Sequence, residues 1–108
     1  DYLLGGSGND FLVGGKGNDL LNGGANHNNL QGDDGQDIFV LNFNGVSTIK
    51  DFQEGQDRID LAGSITFSDL DIVQQGSDTA IRFDETELAM LPGIEANSLS
   101  VDDFTEMT

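Results

Sequence analysis

The 108-residue chain has no cysteine, so neither a disulfide nor a thiolate metal site can contribute to its structure. It carries only four lysines and arginines against 20 aspartates and glutamates, for a formal charge of −16. Four cationic side chains cannot make a phosphate-binding stripe, which excludes nucleic acid as a partner. A chain this acidic repels itself when compact, so its folded state is expected to hold something cationic. Hydrophobic residues make up 36%, low for a globular protein, and no apolar run is longer than Ile38-Phe39-Val40-Leu41. That excludes a membrane span. No signal-peptide pattern opens the sequence, and the length suits one small domain and not two.

What is present is repetition. Gly5-Gly6-Ser7-Gly8-Asn9-Asp10-Phe11-Leu12-Val13 is followed at once by Gly14-Gly15-Lys16-Gly17-Asn18-Asp19-Leu20-Leu21-Asn22. Two weaker copies run from Gly23 to Gln31 and from Gly32 to Val40. Asp1-Tyr2-Leu3-Leu4 reads as the tail of an earlier copy, so the expectation is a piece of a longer parent. The sixth position of the period is Asp1, Asp10, Asp19, Asn28 and Asp37; the eighth is Leu3, Leu12, Leu21, Leu30 and Phe39. An acid and an apolar residue held at constant phase mean a solenoid, each copy supplying one loop and one short strand.

The loop chemistry points to Ca²⁺. Glycines at the first, second and fourth positions (Gly5, Gly6 and Gly8; Gly14, Gly15 and Gly17; Gly23 and Gly24; Gly32 and Gly35) let the backbone take positive-φ conformations. Such a loop can turn its carbonyl oxygens toward one point, where the sixth-position carboxylate joins them. Six to eight hard oxygen ligands suit Ca²⁺, whereas Mg²⁺ demands a tighter octahedron and Zn²⁺ prefers His or Cys. Two departures stand out. The third copy has Asn26 for the fourth glycine and neutral Asn28 for the acid, which should weaken its site. The fourth has Asp33 for the second glycine.

These residues resemble the repeats-in-toxin family, the hemolysin-type calcium-binding repeats. The resemblance covers residues 1–40 and extends, less specifically, through Asp51-Phe52-Gln53-Glu54-Gly55-Gln56-Asp57-Arg58-Ile59-Asp60-Leu61 and Ser98-Leu99-Ser100-Val101-Asp102-Asp103-Phe104. It implies an all-β fold, a parallel β-roll in which two copies complete a turn and Ca²⁺ lies between stacked loops. One edge would then carry Asp1, Asp19 and Asp37, and the other Asp10 and Asn28. Carboxylates facing each other across a strand spacing of about 4.8 Å repel by about 3 kcal/mol at an effective dielectric near 20, so folding should be coupled to the ion. Gly35-Gln36-Asp37 recurs as Gly55-Gln56-Asp57, which predicts one last, longer turn placing the Asp57 loop over the Asp37 loop. Gly55, Asp57 and Asp60 therefore join the candidate calcium residues, with Asp51 beside them.

The grammar changes near Val40. Residues 1–40 hold ten of the 15 glycines and six of the 20 acids; the remainder holds five and 14. The reading is β-roll repeats over residues 1–43 and a strand-rich capping region of the same domain over 44–108. Strands are expected from Ile38 through Phe43, at Val46–Phe52, Arg58–Leu61, Asp71–Gln75, Thr79–Phe83 and Glu87–Leu91, with a hairpin turn at Gly76-Ser77-Asp78. Ser98 to Phe104 suggests a short helix after Pro92-Gly93. Eighth-position residues should point inward. Tyr2, Leu4, Leu20, Ile38 and Val40 should then form an outer stripe that the second half covers, with Phe11, Val13, Asn29 and Gln31 on the other sheet.

Nothing in the chain orients catalytic chemistry. His27, the single histidine, falls in a degraded loop and reads as solvated. Gly15-Lys16-Gly17 lacks the spacing of a phosphate loop, and Asp33-Asp34-Gly35 lacks that of an EF-hand. Asp69 with Asp71, and Asp102 with Asp103, read as turn or surface acids. The resemblance implies a non-enzymatic calcium-binding module of a secreted bacterial protein, exported by a type I route and folding on Ca²⁺ outside the cell. The alternatives are a carbohydrate- or cell-surface-binding adhesion module, or the non-catalytic tail of a secreted protease, lipase or epimerase.

Overall fold

A computed structural model describes residues 2–42, 45–53, 55–61 and 66–106. Asp1 and Phe43, both singled out in the sequence, lie outside the described residues. The strands in chain order are β1 (Tyr2–Leu4), β2 (Phe11–Val13), β3 (Leu20–Asn22), β4 (Asn26–Gln31), β5 (Ile38–Leu41), β6 (Gly45–Ile49) and β7 (Arg58–Leu61). They continue as β8 (Leu70–Gln75), β9 (Asp78–Phe83), β10 (Thr86–Leu91) and β11 (Phe104–Glu106). Strands β1 to β7 alternate between two sheets, so each successive pair completes one turn of a parallel β-roll. One sheet has the order β1-β3-β5-β7-β11 and the other β2-β4-β6-β10-β9-β8.

The period fixes the register. Leu3 pairs with Leu21, Leu21 with Phe39 and Phe39 with Ile59 on one sheet; Leu12 pairs with Leu30 and Leu30 with Ile49 on the other. Side chains alternate across a strand, so these residues point into the roll and their neighbours point out. Burial follows: Leu21, Leu30, Phe39, Ile49 and Ile59 are fully buried, and Leu3 and Leu12 at the first turn are partly so. Each such leucine removed from water stabilises the fold by about 1.5–3 kcal/mol. The core runs without a break into the second half through Leu61, Ile81, Leu88, Ala89, Leu91, Leu99 and Phe104.

The second half lengthens both sheets, and the first turns of the outer stripe stay open. β11 pairs parallel with β7, and β10 pairs parallel with β6 before β9 and β8 return antiparallel. Its apolar residues are spent closing the far end of the roll. The outer stripe is accordingly graded, with Tyr2 68% and Leu4 66% exposed, Leu20 and Ile38 half-buried, and Val40 only 3% exposed. On the opposite sheet Phe11 is 58% exposed, with the Lys50 ammonium 5.3 Å from its ring centre.

Two local readings also change. Ser98 to Phe104 forms no α-helix. Ala96–Ser98 and Val101–Asp103 are single 3₁₀ turns, and Phe104 opens β11. Parallel pairing with β7 and a 5.0 Å ring contact with Phe67 override the local helix signal. Gly76-Ser77 turns the β8–β9 hairpin as read, since Gln75 pairs with Asp78. The β9–β10 hairpin turns on Asp84 (φ 48°) and Glu85 (φ 67°). Both central residues have positive φ, as a tight hairpin requires, yet neither is the glycine or asparagine that would announce it.

Candidate calcium sites

Loops on the same edge of the roll stack one turn apart. On one edge lie Gly14–Asp19, Gly32–Asp37 and the 50–57 loop; on the other lie Gly5–Asp10 and Gly23–Asn28. Sixth-position side chains stitch each stack together. The Asp19 N–H donates to Asp37 Oδ1 at 2.9 Å, and the Asp37 N–H donates to Asp57 Oδ1 at 2.9 Å. On the opposite edge the Asp10 N–H donates to Asn28 Oδ1 at 2.9 Å. The Asp57 loop thus stands over the Asp37 loop, with Ile38 paired to Arg58.

With its Oδ1 held this way, Asp37 turns its second carboxylate oxygen into the loop, and Asp10 does the same beside Gly5. Oδ2 of Asp10 and of Asp37 is buried there without a hydrogen-bond partner. Leaving such an oxygen dry costs more than the bond it forgoes, and a charged one costs most. The first-position glycines mark where these oxygens converge with backbone. A Cβ at Gly5 would lie 2.7 Å from Asp10 Oδ2 and 2.7 Å from the Gly23 carbonyl oxygen. A Cβ at Gly14 would lie 2.6 Å from Asp19 Oδ2 and 3.0 Å from the Gly32 carbonyl oxygen. Each point gathers a carboxylate from one loop and a carbonyl from the next. Among the described residues no cluster of three or more His, Cys, Asp or Glu side chains could hold a metal by itself, so carbonyls must complete any ligand set. A hard divalent cation that accepts mixed carboxylate and carbonyl oxygens fits these gaps.

This geometry corrects the role given to the glycines. Positive φ occurs at the second and fourth positions (Gly6, Gly8, Gly15, Gly17, Gly24 and Gly35) and at none of the first positions. Gly5, Gly14, Gly23 and Gly32 are needed for space beside the sixth residue. Asn26 (φ 70°) and Asp33 (φ 62°) adopt the left-handed conformation in place of the missing glycines, as short polar side chains can.

Charge accumulates along the acid edge. Asp19, Asp37 and Asp57 are all buried. Burial pushes the Asp37 carboxyl up to about 6, opposed by the Asp19 N–H and reinforced by the charges of Asp57, Asp19 and Asp51. Burial also raises Asp57, against the N–H groups of Asp37 and Gln53. Its Oδ2 accepts the Gln53 N–H at 2.9 Å, a partner that Asp37 Oδ2 lacks.

Asp60 stands apart on β7. Its Oδ1 is buried without a hydrogen-bond partner and burial raises its carboxyl, but it faces away from the stacked loops, between inward-pointing Ile59 and Leu61. His27 is exposed, its backbone N–H donating to the Asn9 side chain at 3.0 Å. Asp69 caps the turn at Thr66, and Asp71 is exposed. Two further contributors are Asp51, read from the sequence beside the candidate ligands and here an anchor, and the fifth-position asparagines, which the sequence-based set lacks. Asp51 accepts the N–H groups of Gly32 (2.9 Å) and Asp33 (2.7 Å), anchoring the fourth-copy loop. The fifth-position amides Asn9 and Asn18 accept the N–H groups of His27 and Gln36 one turn on. The repeated Asn-Asp pair in the first two copies is the signal that could have found them.

Comparison with known proteins agrees with this geometry. The family model of the RTX calcium-binding nonapeptide repeat (4 copies) matches residues 1–40. Two solution structures of subunits from the Azotobacter vinelandii mannuronan C5-epimerase share the fold over nearly the whole chain. AlgE6R3 has 30% identity and a TM-score of 0.70, over 97% of this chain and 72% of its own. AlgE6R2 has 26% identity and a TM-score of 0.70, over 98% and 87%. The extracellular lipase LipA from Serratia marcescens, at 22% identity and a TM-score of 0.64, shares the fold over 94% of this chain and 20% of the lipase. A search of curated proteins returned no match. The chain belongs to the RTX calcium-binding repeat family, whose members' calcium binding implies the same ion here.

Proposed function

We propose that the chain is a non-catalytic calcium-dependent folding module of a secreted protein. One observation carries the reading: the buried Asp10 Oδ2 lacks a hydrogen-bond partner where it meets the Gly23 carbonyl oxygen of the next loop. Ca²⁺ is assigned to the gap between the Gly5–Asp10 and Gly23–Asn28 loops, through Asp10 Oδ2 and the Gly23 carbonyl. A second ion is assigned between the Gly14–Asp19 and Gly32–Asp37 loops, through Asp19 Oδ2 and the Gly32 carbonyl. Asp37 offers a third position toward the 50–57 loop, beside Asp57. The bound ion supplies positive charge between stacked acids; the chain supplies the oxygen cradle and excludes water from it. In low calcium the acid edge repels itself and the roll loosens. Outside a cell, calcium suffices for modules with dissociation constants of about 10⁻⁴–10⁻³ M, which supports folding after export; the family resemblance supports a type I route.

A calcium titration of the chain followed by far-ultraviolet circular dichroism tests this. The expected result is a cooperative gain of β-structure with Ca²⁺, and little with equimolar Mg²⁺. A spectrum unmoved by calcium or by chelator overturns the reading.

The likeness to mannuronan C5-epimerase subunits favours carbohydrate binding as a second reading. Glycan-array binding in calcium decides this.

A further inference from the structure

The two edges of the roll are not equivalent. Down the first, the residues in register are Asp19, Asp37 and Asp57, an acid at every turn. Down the second they are Asp10, Asn28, Ser47 and Ala89. The second column loses its charge after one turn. Asn28 and Ser47 are nevertheless almost wholly buried, at 2% and 3% exposed.

The hydrogen bonds say what Asn28 does there. Its Oδ1 is committed to the Asp10 N–H, as those of Asp37 and Asp57 are to the turn before them. Its Nδ2 therefore occupies the place where an aspartate would put Oδ2, 2.6 Å from a Cβ built on Gly23. A positive N–H dipole now faces the loop interior in place of a negative oxygen. Nδ2 donates to the Ala25 carbonyl of the same loop at 3.1 Å, drawing that oxygen inward as a cation would. Because the Oδ1 bond sets which way the amide faces, this orientation follows from the network and not from a free choice of rotamer.

The backbone follows suit. β4 is six residues long where β1, β2 and β3 are three each, because it starts at Asn26, inside the loop. It pairs with β6 over Asn26–Leu30, including Asn26 with Gly45 and His27 with Val46. Gly45 packs directly on the Gly24 and Asn26 carbonyls, so closely that any Cβ there would collide. Sheet ladder and glycine backbone fill the gap that stacked acid loops leave open. β6 is then held by β10, and β10 by β9 and β8 through hairpins that contain no repeat loop.

We propose that Asn28 is a built-in substitute for a cation, and that the sheet from β4 through β6, β10, β9 and β8 closes without calcium. It would serve as a standing template on which calcium assembles the acid edge. This rests on the calcium reading above and divides its consequences between the two edges. The metal-free chain would be half-built, with the β4–β6 ladder formed and the β3–β5 ladder open.

Amide hydrogen exchange on the full chain, in excess Ca²⁺ and in excess chelator, tests the division. In chelator, the amides of Leu30, Thr48, Ile49 and Lys50 should keep protection within about tenfold of their calcium values. Those of Leu21, Asn22, Phe39 and Val40 should exchange at least a hundredfold faster. Loss of protection by both groups together would overturn this inference and leave the calcium reading standing. Exchange indifferent to calcium everywhere would overturn both. Asn28→Asp supplies the second arm: it should move Leu30 and Lys50 into the calcium-dependent group, raising their exchange in chelator at least tenfold while restoring protection in calcium. If the variant exchanges like the native chain in chelator, Asn28 is not the substitute.

Discussion

The backbone N–H of Asp19 donates to Asp37 Oδ1 across one full turn of the roll, at 2.9 Å. That bond orients the whole acid edge, since it leaves the other Asp37 oxygen buried in its own loop with no protein partner. Asn28 meets the same constraint on the opposite edge with an amide. Asp37→Asn should therefore behave as a second Asn28, keeping Oδ1 on Asp19 and turning Nδ2 inward. Calcium affinity should fall at least tenfold, about 1.4 kcal/mol, while the chelated protein becomes more stable. Calorimetric titration paired with denaturant unfolding in chelator reads both changes. A variant less stable in chelator would contradict the argument.

Protons should partly replace calcium. The Asp37 carboxyl titrates at about 6 in the fold against an ordinary 3.8, and Asp57 and Asp60 shift in the same direction. Between those values the metal-free folded chain holds a proton that the unfolded chain releases. Its stability therefore falls as pH rises from 3.8 toward 6, and acid restores it. In chelator, ellipticity should show more β-structure at about pH 5 than at about pH 7.5. Calcium affinity should run the other way, weakening as the medium is acidified through about pH 6.

The two kinds of loop glycine should separate on substitution. Gly14→Ala places a methyl 2.6 Å from Asp19 Oδ2 and 3.0 Å from the Gly32 carbonyl, without demanding a strained φ. Gly15→Ala meets nothing within 4 Å, and has only its φ of +81° to contend with, a cost of about 1–2 kcal/mol. The first should therefore lose calcium affinity far more than the second, and titration of the two variants side by side checks it.

Asp51 should matter in both states. It holds the N–H groups of Gly32 and Asp33, and a charge-assisted bond contributes about 1.5–3 kcal/mol. Asp51→Ala should destabilise the chain with calcium or with chelator by a similar amount, measured by urea unfolding. A loss confined to calcium conditions would instead make it a ligand.

Much of this was legible in the nine-residue period. Leu12, Leu21, Leu30 and Phe39 sit at constant phase, which marks a solenoid, and the family resemblance added two copies per turn, the inward direction and the loop stacking. The echo of Gly35-Gln36-Asp37 in Gly55-Gln56-Asp57 placed the last turn correctly. What the sequence hid is tertiary. Phe104 looked like the end of a helix because its partner β7 lies more than forty residues earlier in the chain. The exposed Tyr2 and Leu4 seemed to require a cover because nothing local says that the second half extends the sheets edge-on. The role of Asn28 was half-visible: its missing charge could be read, but the direction of its amide depends on Asp10, one turn away.

The central claim is that oxygens gathered beside the first-position glycines are calcium sites. A crystal structure grown in calcium tests it most directly. A cation should appear about 2.3–2.6 Å from Asp10 Oδ2 and the Gly23 carbonyl oxygen, and another at the same distances from Asp19 Oδ2 and the Gly32 carbonyl oxygen. Calcium found only on surface carboxylates, with both gaps empty of metal, would contradict the account.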